Sequence, residues 1–204
     1  MKIGPRYKIA RRLGADVFDK TQTQKYALRE SQKSPSKKRM RSKTDYGIQF
    51  NEKQRVRFTY GVSEKQFSNY VNLSMEKPGG QSPAEMLFSL LESRLDNVIY
   101  RLGYAGSRQM ARQMSNHGHF TVNGKRVNIP SYKVSLGDKI GIREASNKKV
   151  LFTTLAEKMK TVTGVPSWIK FDLAKKIAEI QGAPKLVAAD VKLNFPAVIE
   201  FYSR

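Results

Sequence analysis

The stretch "HFTVNGKRVNI", residues 119–129, constrains the fold more than any other part of the chain. Apolar and polar residues alternate on both sides of its Asn-Gly pair, which is typical of two antiparallel strands. A two-residue Asn-Gly loop favours a type I′ turn, because both of its residues need positive φ. The turn therefore predicts the register, with Val122 opposite Lys125 and Phe120 opposite Val127.

This register divides the hairpin into two faces. The side predicted to face the core holds Phe120, Val122, Val127 and Ile129. The opposite side, which carries hydrogen-bond donors and no acid, holds His119, Thr121, Arg126 and Asn128. The following "VSLGDKIGI" predicts a Gly-Asp turn and a third strand, with Ile140 and Ile142 directed inward.

Two helix-start signals precede the hairpin. "SPAE" at residues 82–85 and "SRLD" at residues 93–96 both have the serine and acid of a capping box. One helix of about 20 residues would also fit the apolar spacing. The repeated signal favours two helices, with a domain boundary near Glu92. Glu92 and Asp96 are then explained as residues at helix ends.

A further helix is predicted over residues 107–116, with Gly118 as its stop. Arg108 and Arg112 lie one turn apart in it, so they share a face, which we expect to point outward. If this face and the hairpin tip lie on one side, they form a positive surface two elements wide. Such a surface can grip phosphates on two strands.

The rest of the chain is predicted from weaker patterns. Residues from Asp45 onward and residues 151–162 have helical spacing, whereas "WIKF" and "VIEFY" favour strands. The predicted fold class is α+β. It has a basic N-terminal arm (1–44), a mostly helical discontinuous domain (45–92 with 150–204) and an inserted module (93–149). In this module two helices pack on a short antiparallel sheet.

Charge indicates the class of partner. The formal net charge is +21 and the isoelectric point is about 10.2. Residues 1–60 alone hold 17 Lys and Arg against 5 Asp and Glu. This excess favours a polyanionic partner, which could be RNA, DNA or an anionic membrane surface. We expect residues 1–43 to pack weakly alone and to order on that partner, with Tyr7, Phe18 and Tyr26 as anchors.

The sequence lacks the residues that several kinds of functional site require. The chain has no cysteine and only two histidines, which excludes disulfides and makes a structural zinc site unexpected. It has no phosphate loop, no dinucleotide-binding glycine pattern and no HExxH motif. We therefore predict no catalytic residues, no metal and no cofactor. The start lacks a signal-peptide core and no apolar run approaches ~18 residues, so a soluble, intracellular protein is expected.

Four stretches carry a resemblance to a known family. They are "GPRYKIARRLG" (4–14), "DYGIQFNEKQRVRFTYGVSEKQFSNY" (45–70), "VIEFYSR" (198–204) and the long stretch from "LLESRLDNVIYRLGYAG" to "LGDKI" (90–140). Over essentially its whole length the chain resembles the bacterial small-subunit ribosomal protein family uS-four. The long stretch resembles an RNA-binding module that also occurs in pseudouridine synthases and other RNA-binding proteins. The other three make the match specific.

The resemblance implies a structural protein that binds small-subunit rRNA first and grips a multi-helix junction of the 5′ domain. It also implies contact with ribosomal protein S-five and with messenger RNA at its entry path, in the cytoplasm or in an organelle ribosome of bacterial type. The residues predicted to contact rRNA are Arg6, Lys8, Arg11, Arg12, Lys53, Arg55, Arg57, Arg94, Arg108, Arg112, Asn116, His117, Lys125, Arg126, Ser131, Tyr132 and Lys133. The residues predicted near the messenger are Lys37, Lys38, Arg39, Arg41 and Lys43. No membrane contact and no homo-oligomer are expected.

The chain departs from the family pattern in two places. Many members hold the N-terminal segment with a cysteine-bound zinc, and many carry "PGQHG" where this chain has "SQKSPSKK". Two other functions remain open from the sequence. An RNA-modifying enzyme of the pseudouridine synthase type could use the same module, and a general binder of DNA or anionic membranes would need only the charge.

Overall fold

The computed structural model describes residues 3–32, 44–76, 80–147, 149, 152, 165–172, 175–186 and 192–203. The helices are α1 (Arg6–Leu13), α2 (Gln24–Ser31), α3 (Asp45–Tyr60), α4 (Glu64–Glu76), α5 (Pro83–Glu92), α6 (Leu95–Arg101), α7 (Arg108–Asn116), α8 (Glu144–Asn147) and α9 (Phe195–Tyr202). Two 3₁₀ turns cover Ala15–Val17 and Asp19–Thr21. The strands are β1 (Phe120–Val122), β2 (Lys125–Val127), β3 (Lys139–Ile142), β4 (Ile169–Asp172) and β5 (Ile177–Ile180). The predicted α+β class is confirmed.

The chain divides into two compact units. Unit 1 comprises Met1–Leu87 with Val187–Arg204, and unit 2 comprises Phe88–Leu186, so the division falls within α5. This differs from the predicted grouping of residues 150–204 with 45–92. The reason is that β5 forms hydrogen bonds with β3, which brings residues 165–186 into unit 2.

A buried lysine connects three helices of unit 1. Lys53 on α3 is 7% exposed, and its Nζ lies 2.5 Å from Glu64 Oε1. The same ammonium lies 4.9 Å from the ring centre of Phe201 and 5.5 Å from that of Tyr202, both on α9. Burial alone would raise the pKa of Glu64, but Lys53, with Tyr202 and Arg57, holds it below its usual value. A cation thereby joins α9 to α3.

The residues predicted as a strand at "VIEFY" form helix α9 instead. Asn194 caps this helix, since its Oδ1 accepts from the Ala197 N–H at 3.1 Å, and a proline occupies the first turn. Phe195 and Val198, three residues apart, are both buried. The cap and this helical spacing override the strand preference of the β-branched and aromatic residues.

The N-terminal residues of unit 1 form a small core of their own. Ala10, Val17, Phe18 and Tyr26 are buried together. Arg55 on α3 joins this segment to the long helix, because its Nη2 donates to Asp16 Oδ2 at 2.5 Å. The anchors Phe18 and Tyr26 are therefore core residues, whereas Tyr7 is partly exposed.

Unit 2 contains a five-stranded antiparallel sheet in the order β2-β1-β3-β5-β4. The predicted hairpin register is confirmed, with Val122 opposite Lys125 and Phe120 opposite Val127. Asn123 has φ +50° and Gly124 has φ +79°, as the tight turn requires. The predicted "WIKF" strand is confirmed as β4.

Residues of α6 and α7 pack together with residues of the sheet in the core of unit 2. The largest apolar side chains in it include Phe120, Tyr104, Phe152 and Ile140, all fully buried. The Tyr104 hydroxyl donates to the carbonyl of Lys176 in the β4–β5 turn at 2.9 Å. Burial raises the pKa of Tyr104, so the phenol keeps the proton that it donates.

Two face assignments in the hairpin are wrong. Ile129, predicted in the core, is 55% exposed because β2 ends at Val127 and the chain leaves the sheet. His119, predicted on the open polar face, is buried. Its Nδ1 lies 3.0 Å from Ser146 Oγ, and its ring meets Phe152 edge-on, since residues after β3 cover that part of the sheet. Burial lowers the pKa of His119, with help from nearby cations led by Lys149.

Replacing Phe120 with Ala should lower the free energy of unfolding of unit 2 by about 3–5 kcal/mol, because it removes a fully buried ring from the core. Trp168 is the only tryptophan and packs against this core, so its fluorescence in a urea titration reports unit 2. Ile129→Ala is the matched control and should change stability by less than about 1 kcal/mol. Equal losses in the two variants would contradict the core assignment.

Candidate nucleic-acid interface

Backbone carbonyls from a later segment cap the start of α6. The Leu95 N–H donates to the Tyr132 carbonyl at 2.9 Å, and the Asp96 N–H donates to the Pro130 carbonyl at 3.1 Å. The predicted Ser93 capping box is therefore wrong: Arg94 occupies the cap position and no side chain caps the helix. These bonds fix residues 130–133 beside the α6 N-terminus, where Lys133 is exposed.

Asp96 is a buried anchor for two arginines. Its Oδ1 accepts from Arg94 Nε at 3.0 Å and its Oδ2 from Arg94 Nη2 at 2.7 Å, so the pair is bidentate. The Arg94 side chain is 1% exposed. Arg112 on α7 approaches the same carboxylate, with Nη1 at 3.9 Å from Oδ2. A carboxylate that seemed a helix-end residue thus holds α6 and α7 together.

Glu92 is a second buried anchor. It forms a bidentate pair with Arg101, at 2.9 Å from Nε and 2.7 Å from Nη2. It also accepts from Asn97 Nδ2 at 2.8 Å. Asn97 connects Glu92 to α7, because its Oδ1 accepts from Arg108 Nε at 2.8 Å. The Arg108 guanidinium also lies over the Tyr100 ring, 4.4 Å from the ring centre.

The expectation that Arg108 and Arg112 simply face outward is therefore wrong. Both are half-buried and belong to a polar network with residues of α6. The network fixes the position of each guanidinium before any partner binds. Preorganisation of this kind lowers the entropy lost on binding a phosphate.

Arg126 joins the hairpin to the end of α7. Its Nη2 donates to the carbonyl of His117, the C-cap of α7, at 3.4 Å. A cation is favourable there because the helix C-terminus carries partial negative charge. Gly118 has φ +64°, and a Cβ on it would overlap the Arg126 guanidinium. Gly118 thus both ends the helix and leaves room for the arginine.

Together these contacts define what we call the arginine surface. It consists of Arg101, Arg108, Arg112, Asn116, His117, Lys125, Arg126, Ser131, Tyr132 and Lys133. Six of its members are Lys or Arg, against the two buried carboxylates Glu92 and Asp96, and the buried Arg94 lies beneath it, paired with Asp96. Among the described residues, no carboxylate lies within ion-pair distance of Lys125, Arg126 or Lys133, all of which are exposed.

Comparison with known proteins identifies the family. A model of the "S4 domain" matches residues 93–140, and a model of the "Ribosomal protein S4/S9 N-terminal domain" matches residues 1–92. The chain is 41% identical to the small ribosomal subunit protein uS4 of Herpetosiphon aurantiacus, over 98% of both chains. It is 39% identical to that of Listeria monocytogenes serotype 4a, also over 98% of both. The chain belongs to the uS4 ribosomal protein family. This is a family of ribosomal proteins and not of enzymes.

The structure divides the predicted uS4 contact residues of unit 1 into two groups. Arg6, Lys8, Arg11 and Arg12 on α1 are exposed, and Arg11 among them pairs with Glu30. Lys53, Arg55 and Arg57 on α3 are less exposed and form ion pairs inside the unit, with Glu64, Asp16 and Glu64 respectively. The predicted rRNA contact of Lys53 does not fit its burial, nor does that of Arg94 in unit 2. The messenger-path residues Lys37, Lys38, Arg39, Arg41 and Lys43 lie outside the described residues.

Sequence reasoning missed the anchors of the arginine surface. Glu92, Asp96 and Asn97 carry no charge that would attract RNA, and their role depends on burial. The sequence held a signal for one pair only, since Arg94 lies two residues from Asp96. Arg101 and Arg108 lie 9 and 11 residues from the side chains that bind them, Glu92 and Asn97, so their pairing depends on the fold.

Within the described ranges, no helix is both long and apolar enough to cross a membrane. No cluster of three or more potential metal ligands occurs among those residues either.

Replacing Asp96 with Asn should lower the free energy of unfolding of unit 2 by about 3–5 kcal/mol, because it leaves the buried Arg94 guanidinium without its counter-charge. Urea titration followed by Trp168 fluorescence measures the change. Glu144→Gln removes an exposed carboxylate from the same unit and should cost less than about 0.5 kcal/mol. An Asp96→Asn protein as stable as this control would show that the buried pair is not an anchor.

Proposed function

We propose that this chain is a structural protein of the small ribosomal subunit that binds small-subunit rRNA through the arginine surface. The observation that carries this proposal is the set of exposed cations without carboxylate partners, beside arginines that buried acids hold in place. Family membership supports the ribosomal setting, since the relatives are named small ribosomal subunit proteins.

The proposed mode of recognition is contact with the RNA backbone and its shape. Lysine and arginine side chains in fixed positions match phosphates at a fixed spacing, whereas base-edge readout needs a different set of side chains. A junction of several RNA helices presents phosphates from different strands close together. The resemblance to the family supplies the particular target that we propose, a multi-helix junction of the 5′ domain, bound early in subunit assembly.

Further partners belong to the same proposal. The basic stretch with Lys37, Lys38, Arg39, Arg41 and Lys43 has the composition expected beside messenger RNA at its entry path. Ribosomal protein S-five is the proposed neighbour among the proteins. The proposed location is the ribosome, in the cytoplasm or in an organelle of bacterial type.

Filter binding to the 5′ domain of small-subunit rRNA, near physiological salt and with excess tRNA and duplex DNA, tests the proposal. We expect tight binding that survives both competitors, because the spacing of phosphates around the proposed 5′ domain junction differs from that in tRNA and in duplex DNA. The logarithm of affinity should fall linearly with the logarithm of salt concentration. Binding that either competitor abolishes would show that the net charge of +21 acts alone.

Replacing Gly118 with Ala should weaken this rRNA binding about tenfold, because the new Cβ displaces the Arg126 guanidinium. Gly124→Ala is the matched control: Gly124 also has positive φ, but a Cβ there meets nothing within 4 Å. Both variants carry backbone strain, and thermal melts measure that shared effect. If the two variants bound rRNA equally well, Gly118 would have no role in positioning Arg126.

A further inference from the structure

A cleft of about 250 Å³ opens in unit 1, away from the arginine surface in sequence and built from other elements. Its lining comes from α1 and α2 and consists of Tyr7, Arg11, Lys25, Tyr26, Arg29 and Glu30. Two tyrosine rings and three cations line this one small cleft. Aromatic rings favour a ligand with a ring to stack and cations favour a negative charge, so the lining fits a ligand that is both aromatic and anionic.

The tyrosine pair provides a rigid aromatic wall. The rings of Tyr7 and Tyr26 are stacked, with their centres 5.6 Å apart and their planes at 11°. Tyr26 is buried in the small core with Phe18 and Val17, so the pair is anchored from inside. Tyr7 lines the cleft and is 37% exposed. The ammonium of the exposed Lys20 lies 5.6 Å from the centre of the Tyr7 ring, so a nucleobase that stacks on this ring takes the place of that flexible side chain.

Three cations line the same cleft and supply the charge that a phosphate beside that base needs. Lys25 and Arg29 are four residues apart on α2, so they share a side of the helix, and both are exposed. Arg11 faces them from α1, with its Nε 3.2 Å from Glu30 Oε1. Among the described residues that line the cleft, three are cations and Glu30 is the one acid, so this part of the lining has a positive excess.

We propose that this cleft holds one unpaired nucleotide of the rRNA, with its base against Tyr7 and its phosphate between Lys25 and Arg29. The inference rests on the proposed function and adds a single-stranded contact to the shape recognition by unit 2. An unpaired nucleotide fits better than a duplex, because paired bases keep their faces stacked inside the helix. The cleft is also smaller than usual small-molecule pockets, which favours a ligand that the rest of the RNA holds in place.

The experiment compares full-length variants in filter binding to the 5′ domain rRNA, with tRNA and duplex DNA as competitors. Tyr7→Leu should weaken binding about tenfold and Tyr7→Phe less than threefold, because stacking needs the ring and not the hydroxyl. Tyr46→Leu is the control for loss of a partly exposed tyrosine in the same unit, and should bind like the original chain.

A double variant, Lys25→Gln with Arg29→Gln, tests the phosphate contact without touching the core. It should reduce the salt slope by about 0.7–1.4, one to two single-strand phosphate contacts. Lys65→Gln with Lys192→Gln removes the same charge from exposed positions elsewhere in unit 1 and should leave the slope nearly unchanged. Thermal melts of all variants check that each remains folded.

Photo-crosslinking of a six-nucleotide oligouridylate containing 4-thiouridine, read by mass spectrometry of peptides, provides an independent measurement. We expect the crosslink on the peptide containing Tyr7 or Tyr26, and a six-base-pair RNA duplex should give none there. If the original chain binds the rRNA specifically but the Tyr7→Leu and double variants bind like their controls, the cleft proposal is overturned and the proposed function stands. If competitors abolish binding by the original chain, the proposed function itself fails.

Discussion

The pairing of two buried carboxylates with the arginines around them is the interaction on which unit 2 depends. Asp96 and Glu92 sit at the junction of α5 and α6, where an unpaired charge would cost several kcal/mol. Each carboxylate binds one arginine through both oxygens, Asp96 to Arg94 and Glu92 to Arg101. Asp96 also approaches Arg112 of α7, and Glu92 is connected to Arg108 of α7 through Asn97. The acids that stabilise the fold are therefore the same groups that set the positions of the cations on its surface.

A chain with a net charge of +21 must limit repulsion within itself, and unit 1 uses the same solution with different residues. Lys53 is neutralised by Glu64 and surrounded by aromatic rings, and Arg55 is held by Asp16. Among the described residues, Lys53, Arg55 and Arg112 pair with carboxylates of other segments. Lys125, Arg126 and Lys133 are exposed and have no carboxylate of the described residues within ion-pair distance.

Features that depend on neighbours in sequence were predictable. The hairpin register follows from the Asn-Gly turn, and the Ser82 capping box forms as its spacing predicts, with Ser82 and Glu85 bonded in both directions. Features that depend on distant segments were not. The backbone of residues 130–132 caps α6 in place of the predicted side chain, and Ile129, just before it, is exposed outside the sheet. The exposure of Arg108 could not be read from its helix, because Asn97 and Tyr100 belong to another one.

The most direct test of this account is a structure of the protein bound to the 5′ domain rRNA, at a resolution that shows side chains. The account predicts phosphate oxygens about 3 Å from the side chains of Lys125, Arg126 and Lys133. Arg94 should remain paired with Asp96 in that complex. RNA bound elsewhere, with these three cations in solvent, or Arg94 released from Asp96 to contact RNA, would contradict it.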